Sequence, residues 1–227
     1  HNDNNELIEK EFDINAQLHA RYSSYFRVGY TKRESVGSRL DKSKLAIADN
    51  STLFTEHQFF IFAETKPMLG LYINANVTRG DKIDYRNNRL GKINRLSSNI
   101  NWNINKHVEV KLKQTVRQLD AEGENVFIAR LTDLRTTYQF NVQSFLRLSV
   151  VFNNTSRNTS NYLYIAPEDI NRHSKSLSSE LLYAYKINPQ TVFYLGYSDQ
   201  HYSDETIQDL TQEQRSVFMK YSYAWLK

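Results

Sequence analysis

The sequence predicts an all-β fold, an antiparallel up-and-down transmembrane β-barrel with about eleven strands in the stretch given. Three observations predict it. Apolar and polar residues alternate with period two along most of the chain, in long, uniform hairpins. Short turns alternate with longer polar loops, the connection pattern of a sheet whose two rims face different compartments. Tyr and Trp sit at several strand ends (Tyr22, Tyr30, Trp102, Tyr138, Tyr197, Trp225), where membrane-interface girdles would lie. The location these imply is the bacterial outer membrane.

Composition sets the outer limits. Hydrophobic residues make up 40% of the 227 residues and the mean hydropathy is −0.64. A membrane helix needs ~20 consecutive apolar residues, and none is present. Tyr 15 and Phe 12 are high, while Pro 3 and Gly 7 are low, which favours long strands over broken ones. The chain has no Cys, so disulfides and thiolate zinc sites are excluded. The charge, +4 from 29 basic and 25 acidic residues, is too even for a nucleic-acid partner.

Taken in order, Asp13 to Tyr22 alternates, with Ile14, Ala16, Leu18 and Ala20 on one face. A Ser23-Ser24 turn leads to Phe26, Val28 and Tyr30. A polar stretch from Lys32 to about Thr55 follows, then Phe59, Ile61 and Ala63. A Thr65-Lys66-Pro67 turn opens the strand of Leu71, Ile73, Ala75 and Val77. The polar run from Arg79 to Gly91 reads as a loop, as does Gln118 to Glu124. Between them lie the strand of Leu96, Ile100 and Trp102, a turn at Asn105-Lys106, and the strand of Val108, Val110 and Leu112. The strand from Asn125 to Phe140 changes parity, because Phe127, Ala129 and Leu131 share one register and Leu134, Tyr138 and Phe140 the other. One inserted residue, a β-bulge, would reconcile them. After Asn141 to Ser144, Leu146, Leu148, Val150 and Phe152 share a face. A polar loop from Asn154 to about Ser174 precedes Leu177, Leu181, Tyr183 and Tyr185, and a turn at Asn188-Pro189-Gln190 precedes Phe193, Leu195 and Tyr197. The Gln200 to Gln214 loop leads to the last strand, in which Val217, Met219, Tyr221, Tyr223 and Trp225 share an aromatic-rich face.

The last strand ends on the short-turn side, so the first must enter from the long-loop side. Single-chain bacterial barrels have even strand numbers. An odd count therefore implies that residues 1–227 form one domain, the C-terminal part of a larger barrel with at least one strand upstream. The first residues, HNDNNELIEKEF, carry no signal-peptide pattern, which places an export signal further upstream.

Four segments carry a resemblance: GDKIDYRNNRLGKI (80–93), DLRTTYQFNVQSFLRLSVVFN (133–153), LLYAYKINPQTVFYLGYSD (181–199) and VFMKYSYAWLK (217–227). Together, over roughly residues 68 to 227, they resemble the C-terminal domain of a bacterial family with an N-terminal module similar to family 9 carbohydrate-binding domains. That C-terminal domain has no assigned function and is read as an outer-membrane β-barrel. The resemblance implies an upstream sugar-binding domain in the same protein, carbohydrate as a ligand, and no transferable catalytic residue.

Candidate site residues follow from the faces. Arg21, Arg27, Glu109, Lys111, Lys113, Arg117, Asp133, Arg135, Arg147, Glu180 and Lys186 fall on the polar side and would line a lumen. The competing reading is a self-neutralising charge ladder. Arg79, Asp81, Asp84, Tyr85, Arg86 and Arg89 are loop candidates for holding a sugar or peptide, against a merely solvated loop. His201, near Asp199, Asp204 and Glu205, is the one candidate for activating water. The six His show no close ligand spacing, so no metal or other cofactor is expected. The expected function is a conduit or surface receptor rather than an enzyme, with outer-membrane lipid as surroundings. The alternatives are a rim hydrolase and a soluble β-sandwich.

Overall fold

The structure is a computed structural model that describes residues 7–44, 47, 49–188 and 191–223. Eleven strands form one sheet in strict chain order, each antiparallel to the next. They are β1 (Glu9–Ala20), β2 (Ser24–Val36), β3 (Leu53–Met68), β4 (Leu71–Asp84), β5 (Arg89–Asn103), β6 (Val108–Ala121), β7 (Glu124–Gln139), β8 (Ser144–Arg157), β9 (His173–Asn188), β10 (Thr191–Ser203) and β11 (Thr211–Tyr223). Two 3-10 turns, Thr159–Asn161 and Pro167–Asp169, lie in the β8–β9 connection. The sheet is open: β1 and β11 are its edges and do not pair. No second sheet packs on it among the described residues, so a sandwich is not formed.

Period-two alternation splits the sheet into two faces. The apolar face carries Leu18, Phe26, Ile61, Val77, Leu96, Leu112, Leu148, Leu181, Leu195 and Met219, joined strand to strand by the register. Among the described residues nothing covers it: Leu18 is 63%, Phe59 62%, Val217 72% and Met219 74% exposed. At ~4.8 Å per strand and ~20 Å of height, this band covers about 1,000 Å². Soluble monomers rarely expose more than a few hundred.

The band has a sharp edge on the long-loop side. Its rows stop at Tyr30 before Lys32, Val77 before Arg79, Leu96 before Asn94, Phe152 before Asn154, Tyr197 before Asp199 and Val217 before Arg215. It also slants across the ladder. The register row Leu71, Trp102, Val110, Thr136, Leu148, Leu181, Tyr197, Val217 opens β4 at the short-turn end. On β11 the same row lies six residues in from Tyr223. That is about 0.9 residue per pairing, a strand tilt of about 30° against a level band; closed barrels run at ~35–45°.

Several boundaries differ from the sequence reading. The run from Arg79 to Gly91 is a hairpin, with β4 continuing to Asp84, β5 starting at Arg89, and only Tyr85 to Asn88 turning. Likewise, Gln118 to Glu124 is strand on both sides of a Glu122-Gly123 turn. Long loops therefore remain only at 37–52, 158–172 and 204–210, and the strict short–long alternation does not hold. The ladder runs past the apolar band because pairing needs backbone partners, not apolar side chains. The turn expected at Thr65 to Pro67 sits at Leu69-Gly70, with a register shift between Thr65 and Met68 absorbing the proline. Tyr22 lies in the β1–β2 turn, where Tyr22 and Ser23 both have positive φ. The Pro189 turn and Trp225 lie outside the described residues.

The bulge expected between Leu131 and Leu134 is not formed; a different one lies at Val126, ahead of both runs, and does not bring them onto one face. Leu119 pairs with Phe127 and Asp120 with Asn125, leaving Val126 extra. From Phe127 to Gln139 the register is unbroken, so Phe127, Ala129 and Leu131 stay on the polar face. There Phe127 and Tyr162 pack on a small buried cluster of Ile93, Leu119, Ala121 and Val126.

Candidate functional site

The polar face is concave. One cavity of about 560 Å³ is bordered by Arg33 of β2, Gln58 of β3, Thr78 of β4, Arg95 of β5, Arg117 of β6 and Phe127 of β7. Side chains from six successive strands can meet around one space only if the sheet curls toward that face. The cavity lies near the long-loop end, where Tyr85 and Arg86 of the β4–β5 turn form its cover.

The cover is built on polar anchors. In the β4–β5 turn, Asp84 accepts from Asn87 Nδ2 at 2.6 Å and from Arg89 Nε at 3.3 Å. The Arg89 Nη2 donates to both the backbone O and the Oδ1 of Asn161, each at 2.7 Å, and its Nη1 lies 3.0 Å from Glu122. Asn161 Nδ2 in turn faces the carbonyls of Ala121, Glu124 and Asn125, each at 3.2 Å. Leu163 N donates to Asn87 Oδ1 at 2.8 Å, and Ser38 N to Asn88 Oδ1 at 2.9 Å. These bonds tie the 37–52 and 158–172 loops to two hairpin tips. Burial makes each of them costly to leave unmade. Inside this cover, burial pushes the Tyr162 phenol up, against the pull of the Arg157 and Arg86 charges.

A second local device shapes the cavity wall. Beyond Gly80, β4 stops pairing with β3. Gly80 has φ +151, and a Cβ there would lie 2.0 Å from His57 O, so glycine is required. Two carboxylates replace the lost ladder bonds. Asp81 accepts from His57 N at 3.1 Å and Glu56 from Ile83 N at 2.7 Å. Each also meets a lysine, Lys92 on Asp81 and Lys82 on Glu56, the latter at 3.1 Å.

The polar-face candidates divide by environment. Arg27, Glu109, Lys111, Lys113, Arg117, Asp133, Arg135, Arg147, Glu180 and Lys186 all sit at polar-face register positions. Arg21 does not; it lies in the β1–β2 turn, off either face. Partial neutralisation is visible: Lys111 lies 3.0 Å from Glu109 and Arg147 3.8 Å from Glu180. Arg27 stacks its guanidinium 5.0 Å over the Phe60 ring. Arg117 and Arg95 stand directly opposite one another and pair with no carboxylate among the described residues.

The β4–β5 candidates also separate. Asp81, Asp84 and Arg89 are structural anchors, buried and hydrogen-bonded to neighbouring strands and turns. Tyr85 and Arg86 are exposed and border the cavity, with Arg86 5.8 Å over the Tyr162 ring. Arg79 points elsewhere, into a second cavity of about 760 Å³ shared with Phe59, Lys92 and Asn94 at the edge of the apolar face. His201 is on β10 rather than in a loop. Its Nδ1 is 4.0 Å from Asp199 Oδ1, beyond hydrogen-bond reach, and no hydroxyl hydrogen-bonds to it among the described residues. Asp199 instead accepts from Tyr197 and meets Arg215 at 3.5 Å.

Arg95, Phe127 and Asn161 were not singled out from the sequence. The first two are readable once cross-strand register is known; Asn161 depends on a loop whose path leaves no periodic signal. No protein-family model matches the chain, and no curated protein does.

Proposed function

We propose that the chain is the C-terminal part of a bacterial outer-membrane β-barrel, acting as a conduit or surface receptor. The apolar face meets lipid and the concave polar face surrounds water. The observation that carries this reading is the uncovered apolar band: it runs across the whole sheet, ends sharply on one side, and slants as tilted strands crossing a flat slab require. In water such a band would drive aggregation. The open edges fit the same reading, since unpaired strand edges in hydrocarbon cost several kcal/mol per group and call for further strands of the same protein. The resemblance of residues 68–227 to a barrel domain linked to sugar-binding modules makes carbohydrate the proposed cargo class. A rim hydrolase is not favoured, because His201 lacks both a bonded carboxylate and a nucleophile.

The test is electrophoretic. The full-length protein, taken from the outer-membrane fraction, should migrate faster unheated in cold detergent than after boiling. Equal mobility, with the protein in the soluble fraction, would refute membrane residence.

A further inference from the structure

We propose that Arg95 and Arg117 form an oxyanion-binding site, taking a small organic solute that carries a carboxylate, sulfate or phosphate group. The site gives the conduit-or-receptor reading a ligand class and rests on that reading for its purpose, though not for its geometry.

The two residues are direct cross-strand partners on β5 and β6, and both border the polar-face cavity. Like charges directly opposite destabilise a sheet. Elsewhere around this cavity Arg33 lies 2.5 Å from Glu11 and Lys82 3.1 Å from Glu56, while Arg86 stands over the Tyr162 ring. Arg95 and Arg117 have no such partner and make no side-chain hydrogen bond among the described residues. Two free guanidiniums on directly paired positions supply enough donors at one place for a planar or tetrahedral oxyanion. Two residues along lies the apolar row Ile93, Leu119 and Phe127, of which Phe127, packed on the buried other two, is left part-exposed at the cavity. A bare inorganic ion would leave that surface unused. A ring or short chain carrying the anion would cover it.

The experiment is calorimetric titration of the full-length protein in detergent at low salt, with glucuronate, glucose 6-phosphate, inorganic phosphate and glucose as probes. The site predicts binding of the two organic anions, at least about tenfold weaker binding of inorganic phosphate, and no binding of glucose that depends on Arg95 and Arg117. The double variant Arg95→Gln/Arg117→Gln should lose about tenfold or more in affinity for both organic anions, while Lys113→Gln, lower on the same face, should keep it. Arg117→Gln alone should raise the melting temperature of the ligand-free protein by removing the repulsion. Failure of both organic anions to bind, equal binding of inorganic phosphate, glucose binding that the double variant weakens equally, an unchanged double variant, or a lowered melting temperature of Arg117→Gln would each overturn the proposal. The titration needs no bilayer, so a negative result leaves the lipid-facing reading standing. Failure of the electrophoretic test would leave the titration valid.

Discussion

Leu148→Arg places a charge in the middle of the apolar band. Leu148 lies on β8 between Leu146 and Val150, is 40% exposed, and is flanked across the ladder by Thr136 and Leu181. Its row is bounded above by Phe152 and then Asn154, so position 148 is well inside the band. If the surroundings are hydrocarbon, the charge costs ~2–4 kcal/mol near the midplane. If they are water, a half-exposed leucine replaced by arginine changes stability by only about 0.5 kcal/mol. Ser149→Arg is the internal control, since Ser149 is the next residue and faces the polar side. The assay is equilibrium urea unfolding of the full-length protein from phosphatidylcholine vesicles, read from the folded and unfolded bands on a cold gel. With a slope near ~2 kcal/mol per molar, a loss of ~3 kcal/mol lowers the midpoint by about 1.5 M. Ser149→Arg should leave it nearly unchanged. Equal midpoints for the two variants would refute the assignment of faces.

Two further predictions concern the anchor at the β4–β5 turn and the cavity wall. Arg89→Gln removes the cation beside Asp84, a carboxylate only 5% exposed, and unties Asn161. It should cost about 3 kcal/mol and speed limited proteolysis within 158–172, whereas an unchanged digestion pattern would show that the anchor does not hold that loop. Gly80→Ala forces a Cβ onto His57 O at a φ of +151 and should cost about 1–3 kcal/mol in thermal unfolding; a neutral result would mean that β4 leaves β3 without that strained backbone.

How far the fold was legible depended on which signal each element carries. The faces of β4, β8 and β11 follow directly from rows such as Ile73, Ala75, Val77 and Leu146, Leu148, Val150, because period-two alternation is the imprint of a two-sided sheet. Strand ends were less visible. Arg79 to Asp84 and Gln118 to Ala121 are polar, yet they continue the ladder because backbone pairing is indifferent to side-chain polarity once both strands are aligned. The parity change in β7 was misleading: it comes from Phe127, Ala129 and Leu131 standing on the polar face and not from an inserted residue, and the bulge at Val126 left no sequence signal. The charged residues of that face were found individually. Their pairing was not, since Arg95 lies 22 residues from Arg117 and only the register brings them opposite. The Arg89–Asn161 anchor spans 72 residues and had no sequence signal.

The most direct test of the central claim uses the absence of cysteine from residues 1–227, any cysteine elsewhere in the protein being replaced by serine. Single cysteines are placed in turn at 146 through 151 on β8 of the full-length protein in membranes and treated with a water-soluble maleimide. Reaction at 147, 149 and 151, with protection at 146, 148 and 150 that is lost in detergent-denatured protein, is the expected result. Uniform reactivity along the strand, or protection on the Arg147–Ser149 side instead, would contradict it.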